Sequence, residues 1–564
     1  MEVLEGVPEP PAPRSLSFPS LTSTSSRLSS WKRVEKNWNQ AQVGHQGSYS
    51  VERLELLDRY CNNTSLTRVI LVCVSTPLPA LAVALGLECL PLRPPSEGWA
   101  ANWMFWIRLS FMALMLNLVG VCQVNLFVPG FSQSVGKVIY ASVGVCALQI
   151  GTFVFEAAAF GFPVPFMWQF GGITMAIYVP VVTRVVYGPA LVLYDLIPRS
   201  YRGIVVILIP MWKFAAKRFA VRMTREMEDF VPELVAFSVD FFSALFVSVC
   251  MATSGSFHLT ALLIAVDLFF SFVKFRELHK DDKVLRQLLE ERRRSESSRL
   301  IPELFKSDSA GLIPMILDVV HDPSAYHVTS LDRVRLWASP PHLVPDKLYE
   351  RLQSMGASGI FGNQCSERMR VLSYDQAPRS RLTPWKFQQI SVVPAPMTLV
   401  PVVAPLRSAA IPKWRKESSV RPTDPSKSLV RHGLHLLFQF EYLVLVEYIE
   451  CVVPFVVVAY KSALEQLPNV VYFPGGAGRW GVSAVTNLLV LGVLEVGSLL
   501  LVHAFVQRKF GVSPLYELAF VLETQVSAVQ AHLFQVIIFL LQYELAHLGV
   551  DFTFRFDWLR DTSK

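Results

Sequence analysis

Long apolar runs separated by shorter polar stretches form the dominant pattern along this chain. A run of about 20 apolar residues is the length that an α-helix needs to cross a ~30 Å hydrocarbon layer. Because lipid offers the backbone no hydrogen bonds, such runs are expected to be helices rather than open strands. The pattern predicts an all-α, polytopic transmembrane helical bundle of about nine spans, at 68–90, 103–127, 135–160, 164–187, 230–251, 256–278, 438–460, 482–506 and 526–548.

Composition supports a membrane protein over a soluble one. Apolar residues make up 52% of the chain, and charged residues make up only 17%. Soluble domains usually carry about 25% charged residues, so the deficit of charge argues against several soluble domains. The net charge is +7. Basic residues cluster beside the apolar runs, which favours a bilayer surface over nucleic acid as the partner of this charge.

Polar stretches divide the chain into four parts. A Ser-, Pro- and Arg-rich tail is expected to be disordered, and the polar insert is expected to be a charged helix followed by a largely irregular linker. The predicted parts are a disordered tail at 1–65, a first membrane block at 66–278, an insert at 279–435, and a second membrane block with a short polar end at 436–564.

The stretch 200–229 does not fit a simple span. The apolar run Ile204–Trp212 is too short to cross a bilayer and is read as a half-span at most. Basic and apolar residues alternate after it, as in an amphipathic helix that lies in the membrane interface. Five basic side chains are predicted to contact anionic lipid: Lys213, Lys217, Arg218, Arg222 and Arg225.

Lysine and arginine positions also predict the orientation. Cytoplasmic loops of membrane proteins carry an excess of these residues. A cytoplasmic N-terminus places the basic stretches 213–225 and 274–299 on the same side. The N-terminal tail and the 279–435 insert are therefore predicted to be cytoplasmic, whereas the pattern indicates no particular organelle.

Two carboxylates in the first membrane block are predicted to share one depth. Asp240 lies 14 residues before Ser254, and Asp267 lies 13 residues after it. At 1.5 Å per residue, each lies about 20 Å from the turn of an antiparallel hairpin. Two carboxylates at one depth can share a proton or hold a cation, because like charges raise one pKa. Alternatively, each acid is a hydrogen-bonded packing residue.

The second membrane block repeats this pattern. Glu447 lies 13 residues before Tyr460, and Glu495 lies 13 residues after Val482. Glu450 follows Glu447 by three residues, on the same helix face. These three carboxylates are predicted to approach one another near the middle of the membrane. Arg108 and Lys137 are candidate counter-charges, although both lie near span ends.

Several motifs of soluble enzymes are missing from the sequence, which contains no Walker A, HExxH or GxSxG pattern. We therefore expect neither enzymatic activity nor a cofactor. One weaker alternative is an intramembrane metalloenzyme that uses Glu544 and His547, which lie on one helix face. The other potential ligands near the last two spans are His503, His532 and Glu523.

Six short motifs stand out in the two membrane blocks: Val231-Pro232-Glu233, Val239-Asp240-Phe241-Phe242, the stretch 447–454, the stretch 472–478, Ser513-Pro514-Leu515-Tyr516 and the stretch 543–549. Together these motifs resemble a group of uncharacterised multi-pass membrane proteins predicted from oomycete genomes. The resemblance implies a repeated membrane architecture and supplies no activity, so no residue role follows from it.

The acids within the predicted spans determine the function that we expect. Carboxylates inside a membrane are expensive and usually face a partner or a wet cavity. We expect a cation- or proton-handling transporter or channel that uses Asp240 with Asp267, and separately Glu447, Glu450 and Glu495. The alternative is a non-transporting membrane scaffold or receptor whose cytoplasmic insert binds partners.

Overall fold

The computed structural model describes eleven stretches of the chain, and all regular structure in them is helical. They are 43–127, 135–163, 213–222, 228–253, 257–297, 311–338, 344–362, 425–473, 476–478, 480–542 and 545–548. The first helices are α1 (Val51–Asn63), α2 (Leu66–Ser75), α3 (Leu78–Glu88), α4 (Trp103–Phe127), α5 (Val135–Phe160) and α6 (213–222).

A π-helical turn, Ala236–Asp240, joins two α-helices in the middle of the chain. These are α7 (Val231–Val235) and α8 (Phe241–Thr253). The remaining helices are α9 (Phe257–Ser297), α10 (Leu312–His321), α11 (Asp346–Ala357), α12 (Pro425–Leu464), α13 (Val482–Phe510), α14 (Pro514–Thr524) and α15 (Val526–Leu540).

Six helical segments among the described residues are long and apolar enough to cross a membrane. They are Leu66–Glu88, Trp103–Val121, Gly136–Ala159, Val231–Val249, Pro425–Leu464 and Val482–Phe510. Each coincides with a predicted span, so the chain is a multi-pass helical membrane protein by length and composition.

The other three predicted spans do not appear among those six. The span at 164–187 lies outside the described residues. The span at 256–278 falls within α9, which continues without a break to Ser297. The last helix, α15, ends at Leu540 and is one of the shorter apolar helices, so the predicted span at 526–548 is not confirmed.

Helix α12 is the central element of the bundle. It packs against α13, α8, α9, α10 and α14. Its 40 residues extend over about 60 Å, twice the ~30 Å hydrocarbon thickness. Buried residues run along almost its whole length, from Ser426 to Leu464. The predicted boundary between the insert and the second membrane block, at 435, therefore lies inside one continuous helix.

The N-terminal segment is part of the core from Val43 onward, although the sequence predicted a disordered tail to residue 65. Ser50 caps α1, where its side chain accepts a hydrogen bond from the backbone N–H of Arg53. The backbone N–H of Tyr49 donates to Leu434 O on α12. The tail prediction differs from the structure because charged residues of α1 are buried against complementary charges elsewhere.

The described part of the insert is also folded. Helix α10 packs against α12, where a side chain on Gly433 would collide with Ile316. Gly311, at the start of α10, touches the backbone of Gly511 after α13, and Gly511 has a φ of +65°. Only glycine permits both this φ and this close approach. The structure thus differs from a largely irregular insert in 311–338 and 344–362, whereas 363–424 lie outside the described residues.

Candidate functional site

The predicted acid Asp240 lies in a local irregularity of the first membrane block. It is the last residue of the π-helical turn, and its side chain is fully buried. Such turns inside α-helices are rare and frequently occur at functional sites. Here the turn directs Asp240 toward α6 and α12.

Two lysines of α6 surround the Asp240 carboxylate. Lys217 Nζ lies 2.7 Å from Asp240 Oδ1, and Lys213 Nζ lies 3.0 Å from the same oxygen. The Tyr442 hydroxyl donates to Asp240 Oδ2 at 3.0 Å. Burial lowers the pKa of the Lys217 ammonium to about 8, although the Asp240 carboxylate opposes this shift. This lysine can therefore lose its proton close to neutral pH.

Lys213 connects Asp240 to the acids of the second membrane block. Its Nζ also lies 3.0 Å from Glu450 Oε1. Lys274 of α9 lies on the other side of this acid, with Nζ 3.5 Å from Glu450 Oε2 and 2.7 Å from Glu447 Oε1. The Ser498 hydroxyl of α13 donates to Glu447 Oε2 at 2.6 Å. These contacts form one chain of alternating charge.

Glu495 completes the group. Carboxylate oxygens of Glu447, Glu450 and Glu495 all lie within 4.8 Å of one another, which is close enough to share a metal ion. The Lys274 ammonium already lies beside two of them, so a cation would compete with it. The backbone carbonyl oxygen of Glu450 is a further acceptor, because Pro454, four residues later, has no N–H to donate to it.

We call these residues the lysine–carboxylate cluster. It comprises Lys213, Lys217, Asp240, Lys274, Tyr442, Glu447, Glu450, Glu495 and Ser498. Four carboxylates face three ammonium groups, and side-chain exposure is zero for Asp240 and Glu447. The lysine side chains keep 18–29% exposure, so Asp240 and Glu447 are closed to solvent whereas the lysines are partly open to it.

The cluster extends along the bundle axis. The Phe440 ring of α12 contacts Phe510 at the basic end of α13, with centroids 4.9 Å apart. Glu447 and Glu450 lie further along α12, about 10–15 Å from this level at 1.5 Å per residue. The cluster therefore runs from the end of α13 that carries Arg508 and Lys509 toward the middle of the apolar helices.

Four of the five predicted site residues meet in this cluster. Asp240 joins Glu447, Glu450 and Glu495 through Lys213, where the sequence predicted two separate sites. The side chain of Asp267 lies outside the described residues, so its pairing with Asp240 stays a prediction.

Sequence reasoning missed the lysines as partners. Lys213 and Lys217 were predicted to contact lipid, but both make ion pairs inside the protein. Arg218 and Arg222 are exposed, and Arg225 lies outside the described residues. Lys274 could have been identified from the sequence as a partner of these acids, because it is a cation inside a predicted apolar span.

The candidate counter-charge Arg108 belongs to a different network. It forms a two-bond ion pair with the buried Glu88 carboxylate, with Nη1 2.9 Å from Oε2. The Tyr460 hydroxyl donates to the same carboxylate. Asn469 donates to the backbone carbonyl oxygens of Glu88 and Leu90, which joins α3 to the loop after α12.

The alternative metal ligands of the last two helices are dispersed. His547 bonds Arg93 O and stacks on Phe105, and His532 bonds Ala528 O. Glu523 pairs with Arg68. Glu544 lies outside the described residues, so the Glu544–His547 pair cannot be placed. Among the described residues, the group with metal-ligand spacing is instead Glu447, Glu450 and Glu495.

Comparisons with known proteins supply no relative: no protein-family model, no curated protein and no solved structure matches this chain. The resemblance to oomycete multi-pass proteins therefore stays a prediction. The described residues are helical, with six segments long and apolar enough to span a membrane and with a lysine–carboxylate cluster between them.

Proposed function

We propose that this protein carries protons or small cations across a membrane through the lysine–carboxylate cluster. The observation that supports this function is the convergence of four carboxylates and three lysines from five helical elements, between helices apolar enough to span a bilayer. Ionisable residues within membrane segments are costly and usually mark ion or proton pathways.

Proton exchange is the chemistry that the contacts support best. Asp240, Glu447 and Glu450 each lie within 2.7–3.0 Å of a lysine ammonium. At these separations a proton can pass from an ammonium to a carboxylate without a long rearrangement. Each ion pair thereby becomes a neutral pair, and the neutral amine can then take a proton from a protonated carboxyl group on its other side, so that one proton advances along the cluster. The contacts order the groups as Lys217, Asp240, Lys213, Glu450, Lys274 and Glu447.

A cation is the second cargo that the cluster could take. The oxygens of Glu447, Glu450 and Glu495 would replace its hydration shell, and Lys274 would have to move away or lose its proton. A cation and a proton would then compete for the same carboxylates. Exchange of one for the other follows from this competition.

The test is flux into liposomes that contain the purified protein. An imposed potassium diffusion potential drives proton uptake, which a trapped pH dye reports. We expect Glu450→Gln to reduce the initial rate at least about tenfold, since the loss of ~1.4 kcal/mol of stabilisation in a barrier has that effect. Glu156→Gln is the matched control, because Glu156 is a carboxylate of the α5 membrane segment outside the cluster. Sodium or potassium gradients imposed without a potential distinguish a cation cargo from a proton.

The alternative is a membrane scaffold, and one observation favours it. Each lysine of the cluster already has a carboxylate partner, as a purely structural cluster would require. The docked insert would then present a surface to cytoplasmic proteins. Wild-type liposomes with no more proton or cation flux than protein-free liposomes would support the scaffold and overturn transport.

The proposed orientation places the N-terminus and the insert in the cytoplasm. Lysine and arginine positions support it, and exposed Arg218 and Arg222 on α6 would contact anionic lipid there. Protease accessibility of the insert in sealed vesicles of known sidedness tests this orientation.

A further inference from the structure

A second buried charged group lies outside the lysine–carboxylate cluster. We call Glu233, Glu441 and Glu517 the acid cluster, which surrounds Arg53. The acids come from α7, α12 and α14, and the arginine comes from α1. All four residues are at most 1% exposed. Each charge in this group is therefore removed from bulk water.

Arg53 is the cation within bonding distance of this group. Its Nη2 lies 3.1 Å from Glu233 Oε1 and 2.9 Å from Glu441 Oε2. The Tyr49 hydroxyl also donates to Glu441 Oε2. The nearby Arg335 pairs with Asp229 through two contacts of 2.9 Å, so its charge is balanced by that carboxylate.

Glu517 lies in the core without a hydrogen-bonded partner among the described residues, and only longer-range attraction to Arg53 favours its charged form. Neither of its carboxylate oxygens has a hydrogen-bond partner among the described residues. Glu441 Oε1 and Glu233 Oε2 also lack one in the described part of the chain. A buried carboxylate needs donors or cations to stabilise its charge, whereas a protonated carboxyl group carries no charge. Four oxygens without a donor therefore favour protonated acids.

The charge count leads to the same conclusion. Three carboxylates against one guanidinium leave two uncompensated negative charges in a buried site. An isolated buried charge is so costly that a carboxyl group takes up a proton instead. Uptake of two protons leaves one carboxylate to pair with Arg53.

The surroundings of Glu517 act in the same direction. Burial raises its pKa well above the ordinary value, and the neighbouring Glu441 raises it further, whereas Arg53 opposes them. Tyr49 and Cys61 of the N-terminal segment also interact electrostatically with Glu517, and burial raises the pKa of each. Both are neutral at physiological pH, so they do not balance a Glu517 carboxylate.

We propose that Glu233, Glu441 and Glu517 form a proton-binding site that holds two protons at neutral pH. Its ligand is the proton, and its residues differ from those of the lysine–carboxylate cluster. The proposal stands whether or not the protein transports ions, because it rests on burial and charge balance alone.

The site has a defined pH dependence. A carboxyl group whose folded pKa is raised binds a proton in the folded state that the unfolded state has already lost. Its contribution to stability is complete below the unfolded pKa and disappears as pH rises through the folded pKa. Ionisation of Glu517 would place a second charge beside Glu441 and weaken the packing of α14 on α12.

Infrared spectroscopy of the lipid-embedded full chain tests the site directly. A protonated carboxyl group has a C=O stretching band that a carboxylate lacks. We expect this band at neutral pH in the wild type and a smaller amplitude in Glu517→Gln. Glu523→Gln is the matched control, because Glu523 lies on the same helix and is paired with Arg68. It should leave the band unchanged.

Thermal unfolding provides the second measurement. Glutamine resembles a protonated glutamate, so Glu517→Gln should unfold at the wild-type temperature below about pH 4, where unfolded glutamate is also protonated, and at a higher temperature than the wild type at neutral and alkaline pH. A wild type without the carboxyl band at neutral pH would overturn the proposal. So would a Glu517→Gln variant with the full wild-type band.

Discussion

Removal of the Arg53 guanidinium should destabilise the protein strongly, by an amount that depends on pH. The perturbation is Arg53→Met, which keeps a long apolar side chain and deletes the charge. Arg53 is 1% exposed and pairs with Glu233 and Glu441. Without it, the carboxylate that it compensates must either stay charged in a buried site or take up a proton.

The size of the effect follows from the second outcome. Glutamate in an unfolded chain has a pKa of about 4.3, so its protonation near pH 7 requires about 2.7 pH units at ~1.36 kcal/mol each. The expected cost is therefore about 3.7 kcal/mol, within the ~3–5 kcal/mol typical of broken buried ion pairs. The mutant's folded state binds one more proton than the wild type's. Its deficit should therefore shrink by about 1.4 kcal/mol for each unit by which pH is lowered.

The assay is the free energy of unfolding in mixed micelles, measured for wild type and variant at two pH values. Arg68→Met is the control, because the Arg68 side chain is 62% exposed and its pair with Glu523 should be worth at most about 1 kcal/mol. Adding Glu441→Gln to Arg53→Met should recover part of the loss. A cost below about 1 kcal/mol, or a deficit that does not change with pH, would refute the argument.

Three further predictions concern other parts of the fold. Gly511→Ala should destabilise the protein by about 1–3 kcal/mol in the same unfolding assay, because the φ of +65° at Gly511 and its contact with the insert leave no room for a Cβ. Gly86→Ala is the control and should not destabilise the protein, because Gly86 has open space around it. Tyr460→Phe should cost about 1.5–3 kcal/mol, since it deletes a donor to the buried Glu88 carboxylate; an unchanged free energy of unfolding would contradict this. Burial lowers the pKa of His547, so part of the free energy of unfolding should be lost as pH falls below about 6.5, the pKa of histidine in an unfolded chain. His547→Gln should therefore make the unfolding temperature less dependent on pH in this range.

The approach of Glu447, Glu450 and Glu495 could be predicted from the sequence because it depends only on counting along two helices. The connection 465–481 makes α12 and α13 antiparallel neighbours, and equal distances from their connected ends then give equal depth. Hydropathy also predicted the positions of six spans, because the length and apolar character of a run can be read directly from the sequence.

The link between Asp240 and these acids could not be predicted in this way. It depends on Lys213, which lies on a helix that the sequence placed in the membrane interface with its lysines toward lipid. A basic amphipathic helix is compatible with either partner, and only tertiary packing decides between headgroups and buried acids.

Charge content also failed to predict that the N-terminal segment is part of the core from Val43 onward. Glu52 and Arg53 are typical of a solvated tail, yet both are buried. The partners that compensate Arg53, Glu233 and Glu441, lie about 180 and 390 residues away along the chain. A single sequence does not reveal such distant pairs.

Hydropathy detects where an apolar run ends, but it does not detect where the helix ends, and α9 and α12 continue as helices beyond their apolar parts.

Proton flux through the Lys213→Met variant tests the central claim most directly, because Lys213 lies within 3.0 Å of both Asp240 and Glu450 and so joins the two halves of the cluster. We predict that the initial rate in liposomes falls at least about tenfold relative to the wild type. Lys137→Met, which alters an exposed lysine of α5, should retain the full rate. A folded Lys213→Met protein that moves protons as fast as the wild type would contradict a connected lysine–carboxylate pathway.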